Sequence, residues 1–113
     1  MSEPPKIILD GGAIPSWQAF HDAFATKLGF PAFYGRNMDA WIDCMSSLGD
    51  ADAGLTSVHL APGEVLTIRV TGQKALQDRH PDIWAGLVDG AAFVNWRAIE
   101  SGKRALIALA CHD

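Results

Sequence analysis

The chain has few basic residues and no long hydrophobic run, and each shortage excludes a class of protein. Only nine Lys and Arg occur among 113 residues, and they are scattered apart from the adjacent pair Lys103 and Arg104. The basic patch of a nucleic-acid-binding protein is therefore missing. The longest apolar run, residues 105–111, is far shorter than the roughly 20 residues that a membrane-spanning helix needs. We expect binding neither to nucleic acid nor to a membrane.

The amino-terminal residues and the scarcity of cysteine indicate a cytoplasmic protein. Residues 1–5 contain neither the basic region nor the apolar segment of a secretory signal peptide. Cys44 and Cys111 both lie within apolar patterns, form no CxxC motif and are too few for a disulfide framework. We therefore predict a cytoplasmic location, with both cysteines buried as free thiols.

Hydrophobic residues are plentiful enough for one domain over residues 1–113. They make up 49% of the sequence, and four Trp and five Phe can fill one core. The formal net charge of −4 is modest, so the positions of the charges matter more than their sum.

Local patterns predict three strands separated by pairs of helices. Helical crossovers between strands favour a parallel sheet, so we predict an α/β fold with a three-stranded parallel sheet packed against helices. Strands are expected at residues 6–10, 65–70 and 104–110, and helices at residues 17–28, 37–48, 73–79 and 82–100.

Cap residues mark the ends of these helices. Ser16, Asn37 and Asp82 stand where N-caps are expected, and Gly29 suits the left-handed position that ends the first helix. Gly86 and Gly90 interrupt the last helix, each at a cost of about 0.5–1 kcal/mol relative to Ala.

Two further features of the sheet are expected. Residues 58–60 and 65–70 flank a turn at residues 61–64, which predicts an extra edge hairpin. The apolar run from residue 104 to 110 predicts a last strand that is covered on both faces.

The helix at residues 37–48 carries an acidic face. Asp39 and Asp43 are four residues apart, and like charges at this spacing destabilise a helix by about 0.2–0.5 kcal/mol. The first turn favours Asp39 by about 0.3–1 kcal/mol, whereas Asp43 has no such compensation. No Lys or Arg occurs in residues 37–54. A solvated helix face is the plain interpretation, and a protein interface is the alternative that the neighbouring aromatics favour.

Residues 28–45 carry a specific family resemblance. They read LGFPAFYGRNMDAWIDCM and fit the pattern L-x-x-P-x-(Y/F)-Y-G-x-N-x-D-A-x-x-D-C, so this segment resembles the barstar family of ribonuclease inhibitors. The resemblance extends to the opening strand and helix and to residues 102–109, and it is thin between residues 49 and 90. It implies a barstar-like fold, in agreement with the predicted order of strands and helices.

The resemblance also implies a function and a site. Family members bind a small basic ribonuclease, with the second helix and the loop before it in the nuclease active site. Asp39 and Asp43 match the two main helix carboxylates, and Asp43 would mimic a phosphate. This implies an antitoxin or immunity protein whose partner is a basic protein. The partner-binding residues expected are Phe33, Tyr34, Gly35, Asn37, Asp39, Ile42, Asp43 and Ser46.

Three positions depart from the family pattern and leave other functions open. Phe33 lacks the hydroxyl of the usual tyrosine, Ile42 stands where the best-known members have Trp, and Arg97 matches a position that often carries a carboxylate. A barstar-fold interaction or regulatory module with a non-ribonuclease partner is therefore the alternative. An enzyme using the two aspartates is disfavoured, because no His or Glu lies nearby at ligand spacing. We expect no catalytic residue, metal or cofactor, and the sequence leaves the oligomeric state open.

Overall fold

The computed structural model describes residues 5–112. Residues 1–4 and 113 lie outside that range, so the prediction that the chain starts without a signal peptide falls mostly on residues that are not described. Within the range, no helix is both long and apolar enough to cross a bilayer. The strands and α-helices follow the predicted order: β1 (Lys6–Asp10), α1 (Trp17–Leu28), α2 (Met38–Ser46), β2 (Leu66–Thr71), α3 (Gln73–Arg79), α4 (Pro81–Glu100) and β3 (Ile107–Cys111).

The three strands form a parallel sheet in the order β1–β2–β3, which confirms the predicted α/β fold. Alternate residues of the central strand β2 are buried: Leu66, Ile68 and Val70 are fully buried. Arg69 points to the other side and is exposed, with Ile8 and Ala110 as its partners in the neighbouring strands. The helices therefore cover one face of the sheet and leave the other largely open.

The open face corrects the prediction for the last strand. β3 begins at Ile107 rather than at residue 104, and Ala108 and Cys111 are exposed. The apolar residues of β3 are mostly small, and small apolar side chains can also face solvent. The apolar run alone therefore does not show burial on both faces. Cys111 is consequently an exposed thiol, whereas Cys44 is buried as predicted.

The predicted caps of the first two helices are confirmed. Ser16 accepts a hydrogen bond from the backbone N–H of Ala19, and Asn37 accepts one of 2.8 Å from Ala40. Gly29 adopts the left-handed conformation with φ of 64°. The α2 helix ends at Ser46, two residues earlier than expected.

The predicted cap of the last helix is wrong. Helix α4 already begins at Pro81, so Asp82 lies inside its first turn. The Asp82 carboxylate instead accepts a 2.9 Å hydrogen bond from Trp17 Nε1 and thereby links α4 to α1.

The extra edge hairpin is also absent from the described residues. Residues 58–60 form no strand, because β1 and β3 already occupy both edges of β2. Buried Leu60 instead donates a 2.7 Å backbone hydrogen bond to Leu48, which closes the segment onto the end of α2. The turn at residues 61–64 does form, with a 2.9 Å backbone hydrogen bond from Glu64 to Ala61.

The two glycines of α4 are packing positions rather than interruptions. The helix runs unbroken for 20 residues. A Cβ at Gly90 would lie 2.8 Å from Met38 Cε and 3.0 Å from Trp41 Cζ3, and one at Gly86 would lie 2.6 Å from Trp17 Cη2. The missing side chains therefore let α1 and α2 pack closely against α4.

We expect Gly90→Ala to lower the free energy of unfolding. Overpacking of this kind costs about 1–3 kcal/mol, more than the roughly 0.5–1 kcal/mol that Ala gains as a helix former. Urea denaturation would measure the change. Gly49→Ala is the control, since no atom lies within 4 Å of its added Cβ. An unchanged or raised stability of Gly90→Ala would show that the contact between α2 and α4 is not tight.

Candidate protein-binding site

The two acids of α2 share the outward face of the helix. Trp41 and Met45 on the opposite side are fully buried in the core. Asp39 is exposed, and the Asp43 side chain is 71% exposed. Both carboxylates are therefore accessible to a partner, on the face that the four-residue spacing predicts.

The loop before α2 is held against α1 by buried and charged contacts. Tyr34 is buried, and its hydroxyl lies 2.5 Å from Nδ1 of buried His21. Arg36 has a φ of 53°, which is uncommon for a residue other than glycine, and its guanidinium forms an ion pair with Asp22. These contacts leave Phe33 projecting outward, 78% exposed.

Burial sets the protonation of the groups beneath this loop. It lowers the pKa of His21, with a smaller contribution from Arg36, so the imidazole is neutral at pH 7. Burial, with a contribution from Cys44, raises the pKa of Tyr34, so the phenol keeps its proton. The hydrogen bond between the Tyr34 hydroxyl and His21 Nδ1 therefore joins two neutral groups, and the imidazole tautomer sets which of them donates. Burial and then Asp43 raise the pKa of Cys44, so this thiol remains protonated and is a poor nucleophile.

The structure sorts the eight predicted contact residues by exposure. Asn37 and Ser46 already use their side chains inside the chain, since Asn37 caps α2 and Ser46 Oγ donates a 2.6 Å hydrogen bond to the Ile42 carbonyl. Tyr34 supports the loop from within the core. The exposed members are Phe33, Gly35, Asn37, Asp39 and Asp43, the half-buried ones are Ile42 and Ser46, and Tyr34 is buried.

The sequence analysis singled out Arg97 as a departure from the family pattern but did not predict its contact with the acidic face. Arg97 of α4 lies with a guanidinium nitrogen 3.8 Å from Asp43 Oδ1. Its guanidinium carbon lies 5.8 Å from the centre of the Phe93 ring, and the ring of Trp96 is 5.8 Å from that of Phe93. Trp96 is 56% exposed. The four-residue spacing of Phe93 and Arg97 on a helix could have predicted the contact between these two side chains, but not the ion pair with Asp43.

The acidic face lies outside the cavity found near α2. A cavity of about 370 Å³ lies near the end of α2 and is lined by Ser46, Asp50 and Arg104 among others, but neither Asp39 nor Asp43 lines it. Over residues 5–112, no three His, Cys, Asp or Glu side chains are grouped closely enough to hold a metal ion. Asp39 and Asp43 thus lie on an open surface and outside this cavity.

Comparison with known proteins identifies the family. The family model described as "Barstar (barnase inhibitor)" matches residues 5–107. The chain belongs to the barstar family. The resemblance drawn from residues 28–45 is thereby confirmed, and the family description is that of an inhibitor.

One relative has a related description. A Bacillus subtilis (strain 168) protein, "Putative ribonuclease inhibitor YrdF", is 45% identical over 53 residues, which cover 47% of this chain and 56% of that protein. The match therefore spans about half of each of the two proteins.

We expect stability to fall as the pH is lowered through the titration of His21. Its pKa in the folded protein is below the ordinary value of 6.5, so below that pH the unfolded chain binds a proton that the folded protein excludes. This contribution is complete above pH 6.5 and is lost as the pH falls through the folded pKa. Urea denaturation at about pH 8 and about pH 5 would measure it.

Two variants separate His21 from the other titrating groups. His21→Gln should show a smaller loss of stability between these pH values than the wild type. The exposed His59 provides the control for the substitution itself, and His59→Gln should unfold at about pH 8 with the wild-type free energy. Equal slopes for the wild type and His21→Gln would contradict the assignment.

Proposed function

We propose that this barstar-family protein is a cytoplasmic inhibitor of a small basic ribonuclease and covers the nuclease active site with α2 and the preceding loop. The observation that carries the proposal is that Asp39 and Asp43 lie exposed on one face of α2, beside a loop that projects Phe33. The family description as a barnase inhibitor supports the choice of target. An antitoxin or immunity role would follow, because such a protein protects the RNA of the cell that makes it.

The proposed mechanism is mimicry of the RNA phosphate. A ribonuclease holds its substrate phosphate with cationic side chains, and a carboxylate offers the same charge and acceptor oxygens. Asp43 would occupy the phosphate position of the nuclease active site, and Asp39 would contact the nuclease beside it. Because exposed charges are screened by salt, association should slow as the ionic strength rises.

The contacts beneath the loop support a preformed binding surface. The Tyr34–His21 hydrogen bond and the Arg36–Asp22 ion pair both tie the loop to α1. Holding a loop in its bound conformation reduces the entropy lost on association. Phe33 is then available as an apolar anchor beside the two acids.

The ion pair between Arg97 and Asp43 favours a second candidate function. A base beside the proposed phosphate mimic is unsuited to a partner with only basic groups at that point. A barstar-fold interaction or regulatory module with a non-ribonuclease partner is therefore the alternative. It predicts carboxylate-dependent protein binding without any inhibition of RNA cleavage.

We expect the wild-type protein to bind barnase, used as the probe, with a Kd of about 1 μM or tighter and to inhibit its cleavage of RNA. Asp43→Ala should weaken binding by about 30-fold or more, the effect of a hot-spot residue, for which the barnase–barstar pair is itself a reference case. Asp39→Ala should weaken it less. Calorimetry and an RNA-cleavage assay would measure both effects.

A matched control and a folding measurement complete the test. Asp78→Ala removes an exposed carboxylate of α3 and should leave binding unchanged. All three variants should unfold within about 1 kcal/mol of the wild type, because the altered acids are exposed. Wild-type binding that survives both α2 substitutions would place the interface elsewhere. A wild type that neither binds nor inhibits barnase would refute the proposal.

A further inference from the structure

Arg97 and Asp43 form the one ion pair on the acidic face of α2 within residues 5–112. Their closest charged atoms are 3.8 Å apart, and the side chains are 47% and 71% exposed. Exposed pairs of this kind contribute little to folding stability. The fold therefore does not depend on this ion pair, and a partner that binds here can break it at a small cost in free energy.

The guanidinium of Arg97 also contacts an aromatic side chain of its own helix. It lies over the Phe93 ring, and Phe93 in turn contacts Trp96. Both rings are partly exposed. The acidic face of α2 thus continues through the ion pair onto an aromatic surface of α4, and Arg97 is at the junction.

This position changes what Asp43 offers to a basic partner. A cation that approaches Asp43 also approaches the positive charge of Arg97, and this repulsion reduces the net attraction. A dry interface would in addition strip water from Arg97 without giving it a new acceptor. Asp39, by contrast, has no Lys, Arg or His within ion-pair distance in the described part of the chain.

We propose that Arg97 is a specificity-determining residue, which selects a basic partner that also presents a carboxylate beside its cationic site. On binding, the basic group of the partner pairs with Asp43 and the carboxylate of the partner pairs with Arg97, so that two ion pairs replace one. Phe93 and Trp96 meet an apolar part of the same partner. The inference rests on the proposed function and adds the chemistry that the ribonuclease must present.

The test uses barnase as a probe and reverses the charge of Arg97. Arg97→Glu should bind barnase at least about tenfold more tightly than the wild type at low salt, because the repulsion is replaced by attraction. Arg97→Gln should lie between the two. The gain should shrink at high salt, a response that a change in folding alone would not give.

Arg69→Glu is the matched control, since it makes the same charge change on the open face of the sheet, away from α2. Thermal unfolding of each variant checks that it is folded. If Arg97→Glu gains no more than Arg69→Glu, the specificity inference is wrong while inhibition by the wild type still stands. If neither the wild type nor Arg97→Glu binds, the proposed function fails and the inference fails with it.

A panel of barnase variants tests the carboxylate directly. Each exposed Lys or Arg of barnase is changed to Glu, one at a time, and binding to the wild type and to Arg97→Glu is compared. At least one barnase variant should bind the wild type more tightly and Arg97→Glu more weakly than unaltered barnase does. If every variant changes the two affinities in the same direction, Arg97 selects no carboxylate.

Discussion

The close contact between α2 and α4 at Gly90 determines how the acidic helix is presented. Because Gly90 has no side chain, Met38 and Trp41 lie directly against α4. With its apolar side fixed in the core, α2 must direct Asp39 and Asp43 to solvent. The same contact brings Arg97, about two helical turns further along α4, to Asp43. The close packing that Gly90 allows thus places a base of α4 beside the acids of α2.

The one-sided sheet explains why α2 has a free face at all. Parallel sheets usually have helices on both faces. In this protein the open face carries Lys6, Asp10 and Arg69, whose charges are compatible with water. The helices are therefore gathered in a layer on the other face, and the side of α2 away from the sheet remains exposed.

Several features of the site are locally unfavourable and are maintained by the surrounding structure. Two like charges lie four residues apart on α2, Arg36 adopts a left-handed conformation, and Phe33 projects its ring into solvent. Fully buried aromatic side chains and the Tyr34–His21 hydrogen bond hold the helix and the loop in place. Such features concentrate where a protein contacts its partners, because folding alone would not retain them.

The sequence by itself determined the order and type of the main elements, the caps at Ser16 and Asn37, and the shared face of Asp39 and Asp43. These depend on hydrogen bonds and side-chain spacing within three or four residues. Only the tertiary structure decided that β3 has an open face, that residues 58–60 close onto α2, and that Arg97 meets Asp43. Those outcomes depend on which elements compete for the same sheet edge or helix face, and such competition between distant segments leaves no local pattern.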